Sequence, residues 1–182
     1  MSLVRLEDYT IRRNSKFRFV GASPDVFRHY DSLKEQEAKV KVRRAGRLGY
    51  GLYAAQDIKK GSCIVEYVGE AVTVQEYVRR FTVYKEFHRY KHKYFATLLE
   101  TVQLDATHVG NEGRYANHSC VPHAEFLSVQ LHLSKHWALF LVAKRYIKNG
   151  EQILLDYEWY KSRGVVELVD CRCNSVHCRG FI

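Results

Sequence analysis

The sequence predicts a mostly β protein with few helices, built from small curved sheets. Three observations lead to this fold class. The apolar runs are short, glycine-containing turns separate them, and only one stretch has a clear helical period. Strands and helices also do not alternate as they would in a βαβ wrap. The chain has 182 residues and 46% are hydrophobic, which is enough to fill a core.

The first 39 residues form an N-terminal accessory segment, which is basic and ends in a polar helical stretch at about 31–38. From Val40 onward, short runs of β-forming residues alternate with turns. The predicted strands are Val40–Arg43, Tyr50–Ala54, Ile64–Val68, Tyr94–Leu99, Val102–Leu104, Ala124–Leu131, Trp137–Ala143 and the segment Gly150–Tyr157.

One amphipathic helix is predicted, from about Val74 to Phe87. Tyr77, Phe81 and Tyr84 stand at positions i, i+4 and i+7, so they share one face. The stretch 79–93 carries six Lys and Arg against one Glu. We expect its aromatic residues to pack in the core instead of stacking on bases, and its charges to form a solvated face or to meet an acidic partner.

Charge and targeting signals narrow the function classes. The formal net charge of +9 favours anionic or chromatin-like surroundings, although a merely soluble basic domain fits it equally well. No apolar run approaches the roughly 20 residues that span a bilayer, and the N-terminus lacks the apolar region of a signal peptide. We therefore expect a reducing compartment, where clustered cysteines are metal ligands more often than disulfides.

The cysteine spacing predicts a zinc site. Three thiols stand within eight residues near the C-terminus, in the pattern Cys171-x-Cys173-x4-Cys178. A tetrahedral zinc ion takes four ligands, and Cys120 is the obvious fourth, which leaves Cys63 as a buried odd cysteine. A disulfide, or His177 in place of one cysteine, remains an alternative. Zinc would hold the last residues against the turn at 117–120.

Three further features have both a chemical and a structural interpretation. The glycine turn at 46–51 permits close backbone approach to a ligand, but it lacks dinucleotide-binding spacing and can equally be a hairpin turn. Asn117 and His118 expose hydrogen-bonding groups within a run that is poor strand or helix material, and His118 alone fits a satisfied buried histidine. Tyr67 and Tyr157 lie in apolar strands, where core packing is the alternative to a functional role.

With these residues in view, the chain resembles the SET-domain protein lysine methyltransferases with a post-SET zinc segment. The resemblance covers about residues 40–182, and its motifs occur in the family's order. The matching stretches are Gly49-Tyr50-Gly51-Leu52, Ile58–Gly61, Glu66–Glu70, Leu104-Asp105-Ala106, Gly110-Asn111, Arg114–Cys120, Gly150-Glu151, Asp156-Tyr157 and the terminal cysteine pattern.

The resemblance implies a SET domain at 40–160, with an inserted helical region at about 74–93, and a post-SET segment at 161–182. It also implies a C-terminal pseudoknot, in which the chain threads through a loop and brings the two C-terminal motifs together.

The same resemblance implies S-adenosylmethionine as methyl donor and one structural zinc ion. The implied cofactor-binding residues are Leu48, Gly49, Tyr50, Tyr94, Asn117, His118 and Arg172, the first three and Arg172 through their backbone. Tyr67 and Tyr157 are the implied catalytic residues. Phe95 and Leu155 join them around a narrow channel for the target lysine. The implied zinc ligands are Cys120, Cys171, Cys173 and Cys178.

Two positions depart from the family pattern. Leu155 stands where the family usually has Phe or Tyr, two residues before the catalytic tyrosine. Leucine offers no hydroxyl to hold a water there, so we expect multiple methylation. Pro122-His123 replaces the family's Pro-Asn, which changes the local hydrogen bonding. The lack of a cysteine cluster in the first 40 residues is closer to the trithorax-type branch.

These implications predict a nuclear histone lysine methyltransferase, with lysine 4 of histone H3 as a candidate target. Its partners would be a histone tail or nucleosome, together with activating subunits. No membrane is involved, and direct DNA contact is compatible but not required. Three alternatives remain: methylation of a non-histone protein, a catalytically silent domain that binds chromatin or peptides, and, as the weakest, a basic nucleic-acid-binding module.

Overall fold

The structure of the protein, a computed structural model, describes residues 35–86, 94–130, 137–158 and 169–182. The predicted accessory segment up to residue 34 and the end of the basic stretch, 87–93, lie outside the described residues. Ten strands and one α-helix occupy the described part, which confirms the mostly β class. They are β1 (Val40–Arg44), β2 (Tyr50–Ala54), β3 (Cys63–Glu66), β4 (Glu70–Thr73), α1 (Val74–Glu86), β5 (Phe95–Leu99), β6 (Val102–Asp105), β7 (Asn117–His118), β8 (Ala124–Gln130), β9 (Trp137–Ala143) and β10 (Leu154–Leu155).

The strands form three sheets, in the orders β1-β2, β3-β9-β8-β10-β7 and β4-β6-β5. The apolar run of β9 lies inside the five-stranded sheet, where residues 138–141 are buried. At the end of this sheet β10 runs parallel to β7, with Leu154 beside Asn117 and Leu155 beside His118. The two C-terminal motifs are therefore neighbours, although 36 residues separate Cys120 from Asp156.

The chain divides into two compact units, each with its own buried side chains. The first contains Glu66–Arg114 and Leu127–Phe140, and the second contains Gln36–Val65, Tyr115–Phe126 and Leu141–Ile182. Apolar residues of the first unit that are at most 1% exposed are Leu98, Val102, Ala106, Val129, Leu139 and Phe140. Those of the second that are at most 2% exposed are Leu52, Ala54, Ile58, Ile64, Val65, Ala124, Leu141, Ala143, Ile147 and Ile153.

The predicted amphipathic helix is present as α1. Its first turn is capped, since the Thr73 hydroxyl accepts a hydrogen bond from the Glu76 N–H at 3.2 Å. Phe81 and Tyr84 are buried, and their ring centroids lie 6.4 and 5.9 Å from that of Phe95 on β5. The aromatic face of the helix thus packs in the core, as expected.

A buried ion-pair network fixes α1 to its sheet. Asp105 is only 2% exposed and accepts hydrogen bonds from Arg80 Nη1 at 3.0 Å, from the Tyr84 hydroxyl at 3.1 Å and from the Thr107 N–H at 2.9 Å. Arg80 also forms two hydrogen bonds with Glu70, at 2.6 and 2.9 Å. Those bonds, opposed by burial, raise the pKa of Arg80, so the network holds a permanent cation.

Three local predictions were wrong. The strand that begins near Ile64 ends at Glu66, and the segment 150–157 forms a strand only at Leu154–Leu155. Asn117–His118, which is poor strand material by composition, forms β7 because β10 supplies a parallel partner.

Among the described residues, no helix has the length and apolar character needed to cross a lipid bilayer.

Candidate active site and metal centre

In the first unit, Tyr67 follows directly after β3 and is 6% exposed. Its N–H donates to the Leu139 carbonyl at 2.7 Å. Asn111 holds the residues on both sides, because its Nδ2 donates to the Glu66 carbonyl at 2.7 Å and its Oδ1 accepts from the Val68 N–H at 3.4 Å. Asn111 therefore positions the backbone that carries Tyr67, a role the sequence did not predict for it.

The same unit carries Tyr94 and Phe95. The Tyr94 carbonyl accepts a hydrogen bond from the Ala106 N–H at 2.8 Å, and the Arg114 guanidinium lies over the Tyr94 ring, 5.4 Å from its centroid. Arg114 Nη1 also donates to the Ala106 carbonyl at 2.9 Å. Arg114 thus holds the Tyr94 ring and its backbone support together. Phe95 packs against the aromatic residues of α1, most closely Tyr77 at 4.8 Å between centroids.

In the second unit, Asn117 is joined to the glycine turn. Its Nδ2 donates to the Tyr50 carbonyl at 2.9 Å. Glycine at position 51 keeps the turn close to Asn117 and Gln152, because a Cβ would lie 3.1 Å from Asn117 Nδ2 and would displace the end of the Gln152 side chain. Gly49 has φ = 82°, and a Cβ on it would meet no atom within 4 Å. The turn is therefore anchored on one side and open at Gly49, as a backbone cradle for a ligand would be.

Tyr157 is held at both its backbone and its side chain. The phenol donates a hydrogen bond to the Ala116 carbonyl at 2.9 Å. The backbone N–H donates to His118 Nδ1 at 3.2 Å, and the two rings meet edge-on with centroids 5.4 Å apart. Since the hydroxyl donates its proton to a carbonyl, the phenolic oxygen can act only as an acceptor toward any other partner. This arrangement suits a group that orients an amine and does not suit an outright base.

His118 links Tyr157 to the cysteine cluster. Because Nδ1 accepts from Tyr157, a neutral ring carries its proton on Nε2, which lies 3.5 Å from Cys120 Sγ. Burial lowers the pKa of His118, and Arg179 lowers it further against the opposing effect of Asp156. The neutral ring therefore lies between a candidate metal ligand and the segment that carries Tyr157.

The four predicted thiols are gathered in one place. The sulfur atoms of Cys120, Cys171, Cys173 and Cys178 all lie within 4.8 Å of one another. The Cys120 and Cys171 sulfurs are 3.6 Å apart, close to the roughly 3.8 Å edge of a tetrahedron with zinc–sulfur bonds of about 2.3 Å. Among the described residues, neither His177 nor the buried Cys63 belongs to this group.

The protonation of the cluster also fits a cation. Burial alone would raise the pKa of the Cys173 thiol, but backbone N–H groups of Cys120 and Ser175 and the neighbouring thiols lower it to about 6. Burial and neighbouring thiols raise the pKa of Cys171 to about 12. Sulfurs this close cannot all be thiolates by themselves, whereas a zinc ion would deprotonate them together. The residues present therefore fit one structural zinc ion.

The C-terminal tail closes on itself around this cluster. The Ile182 N–H donates to the Val169 carbonyl and the Cys171 N–H to the Gly180 carbonyl, both at 2.9 Å. Arg172, between two of the cysteines, is exposed.

The most informative contact of the tail is Arg179, which forms two hydrogen bonds with Asp156 at 2.7 and 2.8 Å. Its backbone N–H also lies 3.4 Å from Cys120 Sγ. Burial would raise the pKa of Asp156, but the bonds from Arg179 and Glu158 keep it below its usual value. Sequence analysis missed this pair. Its only signal is an arginine directly after the last ligand cysteine and an acid directly before Tyr157.

The two positions that depart from the family pattern are both ordered. Leu155 is 4% exposed, and its carbonyl accepts from the Ser119 N–H at 2.9 Å. His123 Nδ1 lies 3.0 Å from the Gln152 carbonyl, so the imidazole supplies a hydrogen bond at the position where the family has asparagine. Burial lowers the pKa of His123, mainly offset by that bond to Gln152. The imidazole of His123 therefore has a hydrogen-bond partner at this position.

Comparison with known proteins agrees with these features. A family model described as "SET domain" matches residues 49–158, which is more than half of the chain. A histone-lysine N-methyltransferase of Chaetomium globosum, H3 lysine-4 specific, is 30% identical over 93% of this chain and 15% of its own length. One of Candida albicans, H3 lysine-36 specific, is 36% identical over 81% of this chain and 17% of its own length.

A solved structure supports the fold. A chain of "ctPRC2 in an autoinhibited conformation bound to S-adenosylmethionine" matches with a TM-score of 0.61 and 30% identity, over 69% of this chain and 16% of that one. This chain therefore spans about one sixth of the length of the relatives described here.

Proposed function

This chain belongs to the SET-domain family, and we propose that it is the catalytic domain of a histone-lysine N-methyltransferase that uses S-adenosylmethionine. The observation that carries the proposal lies within the matched residues 49–158. Tyr157 has its phenol fixed by Ala116 and its backbone fixed by His118, beside an Asn117 that is bonded to the glycine turn. A silent binding domain would have no need for a phenol that is held at both ends.

S-adenosylmethionine, when bound, supplies a sulfonium methyl group for transfer to an amine. We propose that this chain holds it with the backbone of Leu48–Tyr50 and with Tyr94, Asn117 and His118, and that the backbone of Arg172 completes the site. The open space above Gly49 and the bond from Asn117 to Tyr50 support this assignment. Zinc would order the tail that carries Arg172, because three of the four zinc ligands lie in that tail and the fourth is Cys120.

The chemistry assigned to the protein is mostly alignment and desolvation. A free lysine has a pKa of about 10.4, so presenting the neutral amine near pH 7 costs roughly 4–5 kcal/mol. We propose that Tyr67, Phe95, Leu155 and Tyr157 form an apolar, aromatic channel that disfavours the ammonium form. The lone pairs of the Tyr157 phenol would orient the amine for in-line attack, and Tyr67 would hold it from another side.

Leu155 bears on the product. It is buried and has no hydroxyl, so it cannot hold a water beside the amine as a tyrosine could. We propose that this space admits a lysine that already carries a methyl group, and that the product is multiply methylated. Mass spectrometry of the product tests this: a Leu155→Tyr variant should shift the product toward monomethyl-lysine, and an unmodified chain that makes only monomethyl-lysine contradicts the proposal.

For the substrate we propose histone H3 in chromatin and, accordingly, a nuclear location. The branch resemblance favours lysine 4. The 36% identity to a lysine-36-specific relative, against 30% to a lysine-4-specific one, favours lysine 36 as the second candidate. The multi-subunit complex named for the solved relative supports the proposal that activating subunits assist this domain.

The test is methyl transfer from labelled donor to histone H3, free and in nucleosomes, with versions of H3 in which arginine replaces either lysine 4 or lysine 36. Tyr157→Phe should abolish transfer, and Asn117→Ala should weaken donor binding. Tyr146→Phe, at a tyrosine that is 46% exposed, is the matched control and should keep full activity. Label that survives both H3 substitutions would redirect the substrate assignment. An unmodified chain that transfers nothing to any histone, with candidate partner subunits present, would support the silent alternative.

A further inference from the structure

The strand β1 carries cations that the proposed chemistry does not use. Residues 38–56 contain four Lys and Arg before the glycine turn, one more within it, and no Asp or Glu. Three of the cations stand at alternating positions, Lys39 directly before β1 and Lys41 and Arg43 within it, and successive side chains of extended chain point to opposite faces. They therefore share one face, which we call the β1 row. The intervening Val42, itself 38% exposed, pairs with the buried Leu52 on β2 and lies on the opposite face.

The cations of the β1 row are exposed, and none of them has a carboxylate partner within the part of the chain that the structure describes. No carboxylate among the described residues forms an ion pair with any of the three, and their partner on β2, where one is assigned, is a tyrosine or a glycine. Arg80, Arg145 and Arg179, in contrast, are each paired with an acid. The row is thus a concentration of unneutralised charge.

Edge protection explains only part of this pattern. β1 is the outer strand of its two-stranded sheet, and cations on an edge strand discourage pairing with another strand. That role needs a single charge or two. It does not require three in register, with no acid anywhere in residues 38–56.

The spacing of the row points to an anionic polymer. Alternate residues of a strand are about 6.8 Å apart. Phosphates along one strand of duplex DNA rise by about 3.4 Å along the axis and also wind around it, so the spacing of the row is comparable with the separation of adjacent phosphates. We propose that the β1 row binds the backbone of duplex DNA. The choice of DNA over other polyanions rests on the proposed function, because a histone substrate in chromatin lies beside DNA.

Binding of the whole chain to a labelled 20-base-pair duplex, followed by fluorescence anisotropy between roughly 50 and 200 mM salt, tests this proposal. The triple variant K39Q/K41Q/R43Q should lose about three phosphate contacts, which makes the slope of log affinity against log salt shallower by about 2.7. The ratio of wild-type to variant affinity should then shrink about 40-fold across that salt range.

The control variant K59Q/K60Q/K148Q removes the same charge from three exposed lysines in a region where Asp57 and Glu151 also lie. It should change the slope much less. Equal changes in the two variants, or no binding by the wild type at the lowest salt, would overturn the proposal. Tighter binding to single-stranded RNA or to anionic vesicles than to the duplex, at the same salt, would overturn the assignment to DNA.

Methylation of an H3 peptide separates this inference from the proposed function. The row variant should methylate the peptide within twofold of wild type while it loses activity on nucleosomes. Loss of both activities would assign the row to the catalytic unit and overturn the DNA assignment. A wild type that binds DNA but methylates no histone would refute the proposed function and leave DNA binding by the row intact.

Discussion

The ion pair between Arg179 and Asp156 should hold the metal-bound tail to the segment that carries Tyr157. Arg179→Met keeps the length and apolar stem of the side chain but removes both hydrogen bonds, at 2.7 and 2.8 Å. Exposed pairs contribute about 0–1 kcal/mol, and hydrogen bonds to charged groups about 1.5–3 kcal/mol. This pair is 29% and 17% exposed, so we expect a coupling of about 1–2 kcal/mol.

A double-mutant cycle with Asp156→Asn measures that coupling. The assays are thermal unfolding of the zinc-loaded chain, where 1 kcal/mol corresponds to about 2–4 °C in a protein of this size, and the rate of zinc release to a chromophoric chelator. If the ion pair stabilises the zinc-bound tail and not the state from which zinc leaves, its loss should speed up zinc release roughly 5- to 30-fold, which corresponds to about 1–2 kcal/mol. Arg172→Met, at an exposed arginine of the same tail, should change neither quantity. Additive effects of the two substitutions, within about 0.3 kcal/mol, would refute the reasoning.

Two further predictions follow from other buried groups. Arg80→Met leaves the Asp105 carboxylate, 2% exposed, without its cation, so urea unfolding should show a loss of about 3–5 kcal/mol. The control Arg79→Met removes an exposed partner of Glu76 and should lower the free energy of unfolding by about 0–1 kcal/mol. If Arg80→Met and Arg79→Met lose the same amount, Asp105 does not need its cation. His123 has a lowered pKa, so the unfolded chain takes up a proton first as the pH falls below about 6.5, and stability should decline until the folded state also protonates. His123→Asn should flatten the stability curve between about pH 7 and 5, and an unchanged slope would rule out His123 as its source.

Local sequence patterns predicted the elements that depend on residues close in sequence, and the metal site that depends on a recognisable spacing of ligand residues. The period of Tyr77, Phe81 and Tyr84 predicts α1, and the spacing of Cys171, Cys173 and Cys178 predicts three of the gathered thiols, because both depend on positions close in sequence. The fourth thiol, Cys120, was predicted from the number of ligands that zinc takes. The apolar run of β9 was likewise predicted with its observed bounds.

Features that depend on distant partners were not predictable in this way. Asn117–His118 becomes a strand only because β10 lies beside it, and β4 pairs with β6, which lies about 30 residues further along the chain. Arg179 and Asp156 are 23 residues apart, and nothing local marks them as a pair. Side-chain roles such as that of Asn111 beside Tyr67 also depend on contacts that sequence separation conceals.

X-ray absorption at the zinc edge, combined with the metal content of the purified chain, tests whether one ion joins Cys120 to the tail. We predict one zinc per chain with four sulfur neighbours at about 2.3 Å, and three sulfur neighbours in a Cys120→Ser variant that releases zinc faster. A chain that folds without bound metal, or a zinc ion with mixed nitrogen and sulfur ligands, would contradict this assignment.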